Sequence, residues 1–262
     1  MKARDTLVAV ALKYRGDWDR MMKSINEQEK IEREYINQVA KLKCQVTTIF
    51  DGDYPQQLKN VHKPPLVLFY YGNLSLIEDY GNNVSIVGSR DYSEYGEKMT
   101  IDIASGLARK GYNIVSGLAL GIDSIAHLSA IRSGGTTTAV LGNGIDFCYL
   151  KTNEDLYKEI KDKYLVISEY PMNTPADPYN FPIRNRIIAG LSKTLVVTEA
   201  KYNSGSMVTA LLALQGDSDV MCVPYEAGTE SECNRLIKGG AYLVEGANDV
   251  LDQMSFIAKK LK

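Results

Sequence analysis

From residue 84 onward, short runs rich in β-branched residues alternate with segments of helical periodicity, which leaves few folds open to this chain. Such alternation is typical of βαβ units, whose parallel strands are covered by helices on both faces. Met207, Leu211 and Leu214, for example, share one face of a helix predicted to end at Gly216. We therefore predict an α/β fold with a mostly parallel sheet and helices on both faces. The predicted strands are Val84–Val87, Asn113–Val115, Thr137–Leu141, Tyr164–Ile167, Thr194–Thr198, Val220–Val223 and Tyr242–Val244.

Residues 1–44 have a different character, with many charges, helical periodicity and no glycine or proline between Gly16 and residue 44. Proline punctuation follows at Pro55 and at Pro64-Pro65, and the apolar run Leu66–Tyr71 stops at Gly72 as strands do. We predict a small helical N-terminal appendage over residues 1–44 and a main domain over residues 45–262.

The bulk composition excludes several classes of protein. The longest apolar runs hold six residues each, whereas a membrane helix needs about 20. The four cysteines form no Cys-x-x-Cys pair and only two histidines accompany them, so we expect neither a disulfide framework nor a metal site. We expect a cytoplasmic protein that needs no cofactor and binds no membrane. Because the formal net charge is −2, any binding of nucleic acid must come from a local cluster of cations.

Glycines, hydroxyl groups and cations follow the ends of the predicted strands. The carboxyl ends of parallel strands meet at one edge of a sheet, where ligands of such folds bind. Glycines allow a close approach to the backbone, and helix N-termini offer unpaired N–H groups to phosphate. This pattern predicts an anion or nucleotide site at that edge. The segments concerned are Gly88-Ser89-Arg90, Ser116-Gly117, Gly142-Asn143-Gly144, Glu199-Ala200-Lys201 and Ser204-Gly205-Ser206, with Lys151 nearby.

The segment from Phe181 to Gly190 carries two arginines, Arg184 and Arg186, on either side of Asn185. Residues two apart on a helix point to different faces. We therefore expect one arginine to reach a phosphate and the other to brace a carboxylate such as Glu199.

Taken together, these segments resemble the DNA-processing protein A (DprA/Smf) family, and the likeness spans roughly residues 48–250. An ordered series of motifs is far more specific than any one glycine turn. The matching segments are residues 54–58 (YPQQL), 65–68 (PLVL), 86–90 (IVGSR), 115–119 (VSGLA), 121–123 (GID), 126–127 (AH), 181–190 (FPIRNRIIAG), 199–201 (EAK), 204–206 (SGS) and 234–237 (NRLI).

The resemblance implies an extended Rossmann-like fold that binds single-stranded DNA, forms a homodimer and loads the RecA recombinase onto incoming DNA, which it protects during natural transformation. Tyr149 or Phe147, close to Lys151, is a candidate for stacking on a base. The DNA contacts that the resemblance implies, together with Arg184 from the residue pattern, are Ser89, Arg90, Gly117, Lys151, Arg184, Asn185, Arg186, Lys201, Ser204, Gly205 and Ser206.

The chain also departs from the family pattern. Tyr225 stands where the family usually has glycine after Val-Pro, and the acidic Glu230-Ser231-Glu232 follows. We expect no C-terminal winged-helix module, and the N-terminal helices are short for the usual sterile-alpha-motif-like domain. We expect the departures near Tyr225 to alter DNA affinity near that loop and partner contacts, and to leave the other motifs intact.

The sequence lacks three motifs that are typical of common enzyme classes. The P-loop pattern G-x-x-x-x-G-K-[ST], the dinucleotide pattern G-x-G-x-x-G and the G-x-S-x-G elbow are all absent. Asp123 and His127 lie four residues apart, and without a nearby nucleophile we interpret them as a packing pair. Two alternatives remain: an enzyme that hydrolyses nucleotide N-glycosidic bonds with Glu199 beside residues 204–206, and a sensor of a small nucleotide-derived ligand.

Overall fold

A computed structural model describes residues 3–202, 204–216 and 218–260. The strands are β1 Gln45–Thr48, β2 Val67–Gly72, β3 Asn83–Gly88, β4 Asn113–Ser116, β5 Thr136–Leu141, β6 Leu165–Ser168, β7 Thr194–Glu199, β8 Asp219–Cys222 and β9 Tyr242–Leu243. The helices are α1 Ala3–Tyr14, α2 Trp18–Asn26, α3 Arg33–Val39, α4 Glu94–Arg109, α5 Ile122–Arg132, α6 Glu154–Lys163, α7 Asn180–Leu191, α8 Gly205–Gln215, α9 Glu232–Lys238 and α10 Ala247–Lys260. All seven strands predicted between residues 84 and 244 are present, with ends that differ by at most one residue.

The strands of the described residues form one sheet in the order β1-β2-β6-β5-β4-β3-β7-β8-β9. From β6 to β9 neighbouring strands are parallel, whereas β2 is antiparallel to β6 and β1 is antiparallel to β2. The prediction of a mostly parallel α/β sheet is confirmed.

The two faces of the sheet bury different side chains because successive residues of a strand point to opposite sides. On β3, Val84 and Ile86 belong to a core with Ile103 of α4. Val87 of the same strand belongs to a second core with Ile187 of α7. Helices therefore cover both faces of the sheet, which explains why the sequences of these strands are nearly continuous apolar runs.

The N-terminal helices share a core with the antiparallel end of the sheet. Val8 and Ala11 of α1 are fully buried and join Val67 and Phe69 of β2 in one apolar cluster. The indole N–H of Trp18 also donates to the carbonyl oxygen of Pro64 at 2.8 Å. The boundary predicted at residue 45 coincides with the start of β1, and the division into two domains stays a prediction.

Helix α8 has an exposed apolar face. Leu211 is 52% exposed and Leu214 is 47% exposed, and Val208 is also exposed. Helical periodicity placed Leu211 and Leu214 on one face, and that face is turned outward rather than into the core. Across the described ranges, no helix combines the length and apolar character needed to cross a membrane.

The chain order changes direction at β3. Strands β4, β5 and β6 are added on one side of β3, and β7, β8 and β9 follow on the other side. The crossover helices on the two sides diverge at such a reversal, which opens a crevice at the carboxyl ends of the central strands.

Candidate functional site

A cleft of about 620 Å³ lies at the carboxyl ends of the central strands. The loops after β3, β4, β5 and β7 and the first turns of α7 and α8 form its walls. Most of the predicted site residues therefore meet in one place, although strand β3 and helix α8 are far apart along the chain. The predicted residues that line it are Ser89, Arg90, Gly117, Arg184, Asn185, Lys201, Ser204, Gly205 and Ser206.

Gly121 shapes the wall that Arg90 occupies. Gly121 has a φ of +77°, a conformation that glycine adopts without strain. A Cβ atom there would collide with the carbonyl oxygens of Ser89 and Arg90. The N–H group of Ile122 donates to the carbonyl oxygen of Ser89 at 3.2 Å and joins the two loops. The glycine thus lets the loop after β3 pack tightly against the start of α5.

Arg90 is exposed at this cleft and has no ion pair with any residue that the structure describes. Its guanidinium carbon lies 6.0 Å from the centre of the Phe181 ring, within the range of a cation–π contact. Tyr149 approaches the same ring, with 5.8 Å between ring centres. A free cation beside two aromatic rings suits a ligand that carries both negative charge and a flat ring.

Lys201 faces the cleft from the end of β7 and pairs with Asp91. The lysine side chain is 55% exposed and the aspartate is 92% exposed. The hydrogen bond from Lys201 lowers the pKa of Asp91, and the same bond raises the pKa of Lys201. Exposed pairs contribute little to stability, so an anionic ligand can replace Asp91 at small cost.

Arg184 is buried at the floor of the cleft. Its Nη1 donates to the carbonyl oxygen of Gly117 at 2.7 Å and also to that of Val140. Its Nε donates to Oδ1 of Asn185 at 3.2 Å. Burial lowers the pKa of Arg184 to about 10. A Cβ atom on Gly117 would lie 2.6 Å from the guanidinium, which explains why glycine stands there.

Arg186 lies outside the cleft. Its Nη2 donates to both carboxylate oxygens of Glu169 at 2.7 and 2.8 Å, and both side chains are buried. Nε and Nη1 donate to the carbonyl oxygens of Lys63 and Ile183. One arginine braces a carboxylate, as expected, but that carboxylate is Glu169 and not Glu199. The other, Arg184, is bonded to backbone carbonyl oxygens at the floor of the cleft. Arg186 does not line the cleft, and its contact with DNA stays a prediction.

Lys151 borders the cleft without lining it. It is exposed and begins a short 3₁₀ turn, while Cys148, Tyr149 and Leu150 just before it are part of the wall. Phe147 also lies outside the wall. Lys151 therefore lies next in the chain to the Tyr149 side of the cleft.

Helix α8 contributes two hydroxyl groups at its first turn. The Oγ atoms of Ser204 and Ser206 lie 2.8 Å apart, and the side-chain amide of Asn185 donates to the carbonyl oxygen of Gly205 at 3.2 Å. Asn185 thus ties α7 to the beginning of α8. The first-turn N–H groups of α8 and these hydroxyls suit an anion.

The carboxylate of Glu199 is bonded to Ser93, the residue just before α4. Its Oε2 accepts hydrogen bonds from the backbone N–H and the hydroxyl group of Ser93, at 3.0 and 2.8 Å. Glu199 lines a neighbouring cavity and not the main cleft. Among the described residues, no hydrogen bond joins Glu199 to the hydroxyl group of Ser204 or Ser206. The hydrolase alternative stays a hypothesis.

Asp123 and His127 do not pair with each other. Oδ2 of Asp123 accepts from the backbone N–H groups of Gly117 and Ala119, whereas Nδ1 of His127 lies 2.6 Å from the Thr137 hydroxyl. Both side chains are buried, and burial raises the pKa of Asp123 and lowers that of His127 to about 3. Among the described residues, no cluster of three His, Cys, Asp or Glu side chains is placed to hold a metal ion.

Phe181 is a cleft residue that the sequence interpretation did not select as a site. It precedes Pro182 at the first turn of α7, and its ring lines the cleft between Arg90 and Tyr149. Phe181 begins the segment that carries the two arginines. Because helices that follow parallel strands begin at the edge where those strands end, this position could have identified Phe181 as a cleft residue.

Comparison with known proteins adds to this geometry. The family model described as DNA recombination-mediator protein A matches residues 45–255. The chain is 41% identical over 211 residues to DNA processing protein DprA of Streptococcus pneumoniae, covering 80% of this chain and 74% of that protein. It is 40% identical over 217 residues to Protein Smf of Synechocystis, covering 81% of this chain and 54% of that protein. The chain thus spans only about half the length of the Synechocystis relative.

Two solved structures have the same fold over most of the chain. DNA processing protein A of Streptococcus pneumoniae superposes with a TM-score of 0.77 at 34% identity, covering 96% of this chain and 93% of the other. DNA processing protein A of Helicobacter pylori, described for its unique single-stranded DNA binding mode, superposes with a TM-score of 0.73 at 28% identity. That match covers 83% of this chain and 98% of the other.

Proposed function

This chain belongs to the DNA recombination-mediator protein A family, and from that premise we propose that it binds single-stranded DNA in the cleft at the carboxyl ends of its central strands. The observation that carries the proposal is the meeting of Arg90, Lys201 and the first turn of α8 at one crevice. The relative from Helicobacter pylori, described for its single-stranded DNA binding, supports the choice of ligand.

The backbone of the strand provides most of the binding energy in this proposal. Arg90 has no ion pair among the described residues and Lys201 exchanges Asp91 for a phosphate, so both cations neutralise phosphates and release counterions. The hydroxyls of Ser204 and Ser206 and the first-turn N–H groups of α8 orient the backbone without reading its sequence. Arg184 supports the floor of the cleft, since it joins the loop after β4 to strand β5 through the carbonyl oxygens of Gly117 and Val140.

Aromatic rings supply the contact that favours a single strand over a duplex. Tyr149 is 56% exposed, and its ring and that of Phe181 form one wall of the cleft. Only unpaired bases present their faces to such rings, and stacking of this kind tolerates every base. Lys151 continues the cationic path beyond Tyr149.

A fluorescence anisotropy titration tests the proposal. We expect a single-stranded oligonucleotide to bind more tightly than its duplex, and mononucleotides to compete weakly. The matched control is Arg109→Ala, because Arg109 is an exposed arginine at the last turn of α4, where the amino ends of the strands lie. Equal loss of binding in Arg90→Ala and Arg109→Ala would contradict the location of the site, and equal affinity for duplex and single strand would contradict the ligand.

We further propose that the protein acts as a homodimer that protects incoming DNA and loads the RecA recombinase in the cytoplasm, during transformation or recombination. The exposed apolar residues Leu211 and Leu214 of α8 and the open edge strand β9, whose Tyr242 and Leu243 are exposed, are the surface that we assign to self-association. Light scattering at micromolar concentration tests this assignment, with Leu211→Glu expected to give a monomer. A strand-exchange assay with RecA tests the loading step.

We propose that the protein works by binding and carries out no catalytic turnover. Glu199, the carboxylate that a nucleotide N-glycoside hydrolase would employ, is bonded to Ser93 and lines the neighbouring cavity, whereas Ser204 and Ser206 line the cleft. Incubation with nucleoside monophosphates is expected to release no free base, and release above background would support the hydrolase alternative.

A further inference from the structure

A second cavity, of about 500 Å³, lies beside the cleft at the carboxyl ends of β7 and β8. Lys201 lines both spaces, so the cavity adjoins the path proposed for the strand. Its outer wall contains Tyr225 and Glu230, two positions at which the sequence departs from the family pattern. The residues around it are Ser93, Tyr95, Glu199, Ala200, Lys201, Pro224, Tyr225, Glu226, Thr229, Glu230 and Ser231.

Hydrogen bonds hold the walls of this cavity in place. Asn234 of α9 accepts from the N–H of Tyr225 at 2.9 Å and donates to the carbonyl oxygen of Tyr225 at 3.0 Å. The N–H of Glu232 donates to the carbonyl oxygen of Ala200 at 3.0 Å. The loop between β8 and α9 is thereby fixed to α9 at one end and to the end of β7 at the other. Hydrogen bonds of the fold therefore hold the cavity walls in position.

The interior offers a carboxylate next to aromatic rings. Glu199 is only 6% exposed, and its Oε2 is oriented by the two hydrogen bonds from Ser93. The rings of Tyr95 and Tyr225 meet edge to face, with centres 5.1 Å apart. The buried hydroxyl of Ser231 has no nitrogen or oxygen partner among the described residues. These groups suit a flat ligand whose edge donates hydrogen bonds.

The charge of the rim selects the part of a nucleotide that enters. Glu226 and Glu230 are exposed at the mouth and, with Glu199, outnumber the single cation Lys201. Carboxylates repel a phosphate. A phosphate therefore stays at Lys201 on the cleft side, and a neutral base is the part of the nucleotide that fits beyond it.

We propose that this cavity receives one nucleobase of the bound strand, with the Glu199 carboxylate accepting hydrogen bonds from the edge of the base. Guanine fits best, because its N1–H and its N2 amino group donate from the same edge, whereas the Watson–Crick edges of adenine, cytosine and thymine each present one donor group. The proposal rests on the proposed function, and it adds a base preference to binding that is otherwise independent of sequence.

Competition titrations test the preference directly. The probes are a twelve-residue oligo(dT), the same strand with one central dG, and the same strand with deoxyinosine, which keeps N1–H and lacks the N2 amino group. We expect the dG strand to bind about tenfold more tightly than oligo(dT), as for a good two-bond base contact. The inosine strand is expected to fall between the two.

Two variants locate the effect in the cavity. Glu199→Gln is expected to abolish the difference between the dG strand and oligo(dT). Because that change also touches the bonds to Ser93, Thr229→Trp provides a second route: Thr229 is exposed at the mouth, and an indole there fills the space. Thr229→Ser, which leaves the cavity open, is the matched control and is expected to keep the preference. Circular dichroism confirms that each variant is folded.

The outcomes separate this inference from the proposed function. If no oligonucleotide binds the wild-type protein, the proposed function fails. If oligo(dT) binds, Arg90→Ala weakens every strand, and the dG strand is no better than oligo(dT), only the base cavity is overturned. Persistence of the preference in a folded Thr229→Trp variant also overturns it, as does free dGMP binding as tightly as the dG strand, which would indicate a mononucleotide site.

Discussion

The loops after β3 and β7 and the helix α7 all carry cations near one end of the sheet, yet they use them differently. Arg90 and Lys201, on the loops, are exposed at the cleft. Arg184 and Arg186, on the helix, are buried and make three and four hydrogen bonds, respectively, to other described protein groups. The loop cations are available to a ligand, and the helix cations hold the scaffold that positions them.

This difference implies opposite results when the charge is removed. A buried guanidinium satisfies carbonyl or carboxylate oxygens that no water reaches, so its loss leaves those oxygens unpaired and lowers the free energy of unfolding. An exposed cation has little effect on folding. Its loss weakens binding of the ligand and makes the binding constant depend less on salt concentration.

The largest effect is expected for Arg186→Ala. The substitution leaves the Glu169 carboxylate buried without its bidentate partner, and breaking such a pair costs about 3–5 kcal/mol. Urea denaturation of the two proteins measures the difference. Arg109→Ala, which removes an exposed arginine, is expected to stay within about 0.5 kcal/mol of the wild type.

A double variant sharpens this prediction. Arg186→Met combined with Glu169→Met removes both charges and replaces them by apolar side chains, so no uncompensated charge stays buried. Most of the lost stability is expected to return. A double variant as unstable as Arg186→Ala would mean that the bonds of Arg186 to Lys63 and Ile183, and not its charge pair, are what matters.

The second largest effect is expected for His127, a buried side chain like Arg184 and Arg186. Burial and the nearby charge of Arg184 lower the pKa of His127 from 6.5 to about 3. Below pH 6.5 the unfolded chain takes up a proton that the folded chain refuses, so the free energy of unfolding falls as the pH falls. The loss between pH 7 and pH 5 is about 2 kcal/mol for this group.

Urea denaturation at the two pH values measures that loss, and His127→Gln is expected to lack it. His62 is exposed, and His62→Gln serves as the matched control for the loss of a histidine side chain. If wild type and His127→Gln lose equal stability between pH 7 and pH 5, His127 does not stay neutral in the folded protein.

The edge of the sheet that holds the site could be predicted from the sequence, whereas the roles of the individual cations could not. Strand ends were predictable because β-branched runs stop at glycines, and the carboxyl ends of strands must meet at one edge. Helical spacing separated Arg184 from Arg186 but contained no information on which one faces the cleft. That choice depends on Glu169, which lies on another element. The cavity between Tyr95 and Tyr225 was equally hidden, because its walls come from segments 130 residues apart that meet only after β3 and β8 have joined the sheet.

On the loop side, Arg90→Ala is expected to weaken binding of single-stranded DNA by about tenfold, for every base composition, and to reduce the slope of log K against log salt by about 0.7. Stability is expected to stay unchanged, because Arg90 makes no ion pair with a described residue. Anisotropy titrations at several salt concentrations provide both numbers. An unchanged salt slope would show that Arg90 does not neutralise a phosphate of the bound strand.

The smallest effect is expected at Asp91, the acidic partner of Lys201. Both side chains are exposed, so their pairing competes with a phosphate for the same ammonium group without contributing much to the fold. Asp91→Asn frees Lys201 and removes a negative charge from the mouth of the cleft, and we expect binding of single-stranded DNA to strengthen about twofold. Lys201→Ala is expected to weaken binding, and Asp91→Asn should then have almost no further effect in the Lys201→Ala background. If Asp91→Asn strengthens binding equally in both backgrounds, the aspartate acts through long-range repulsion of the strand, and Lys201 is not the group that it restrains.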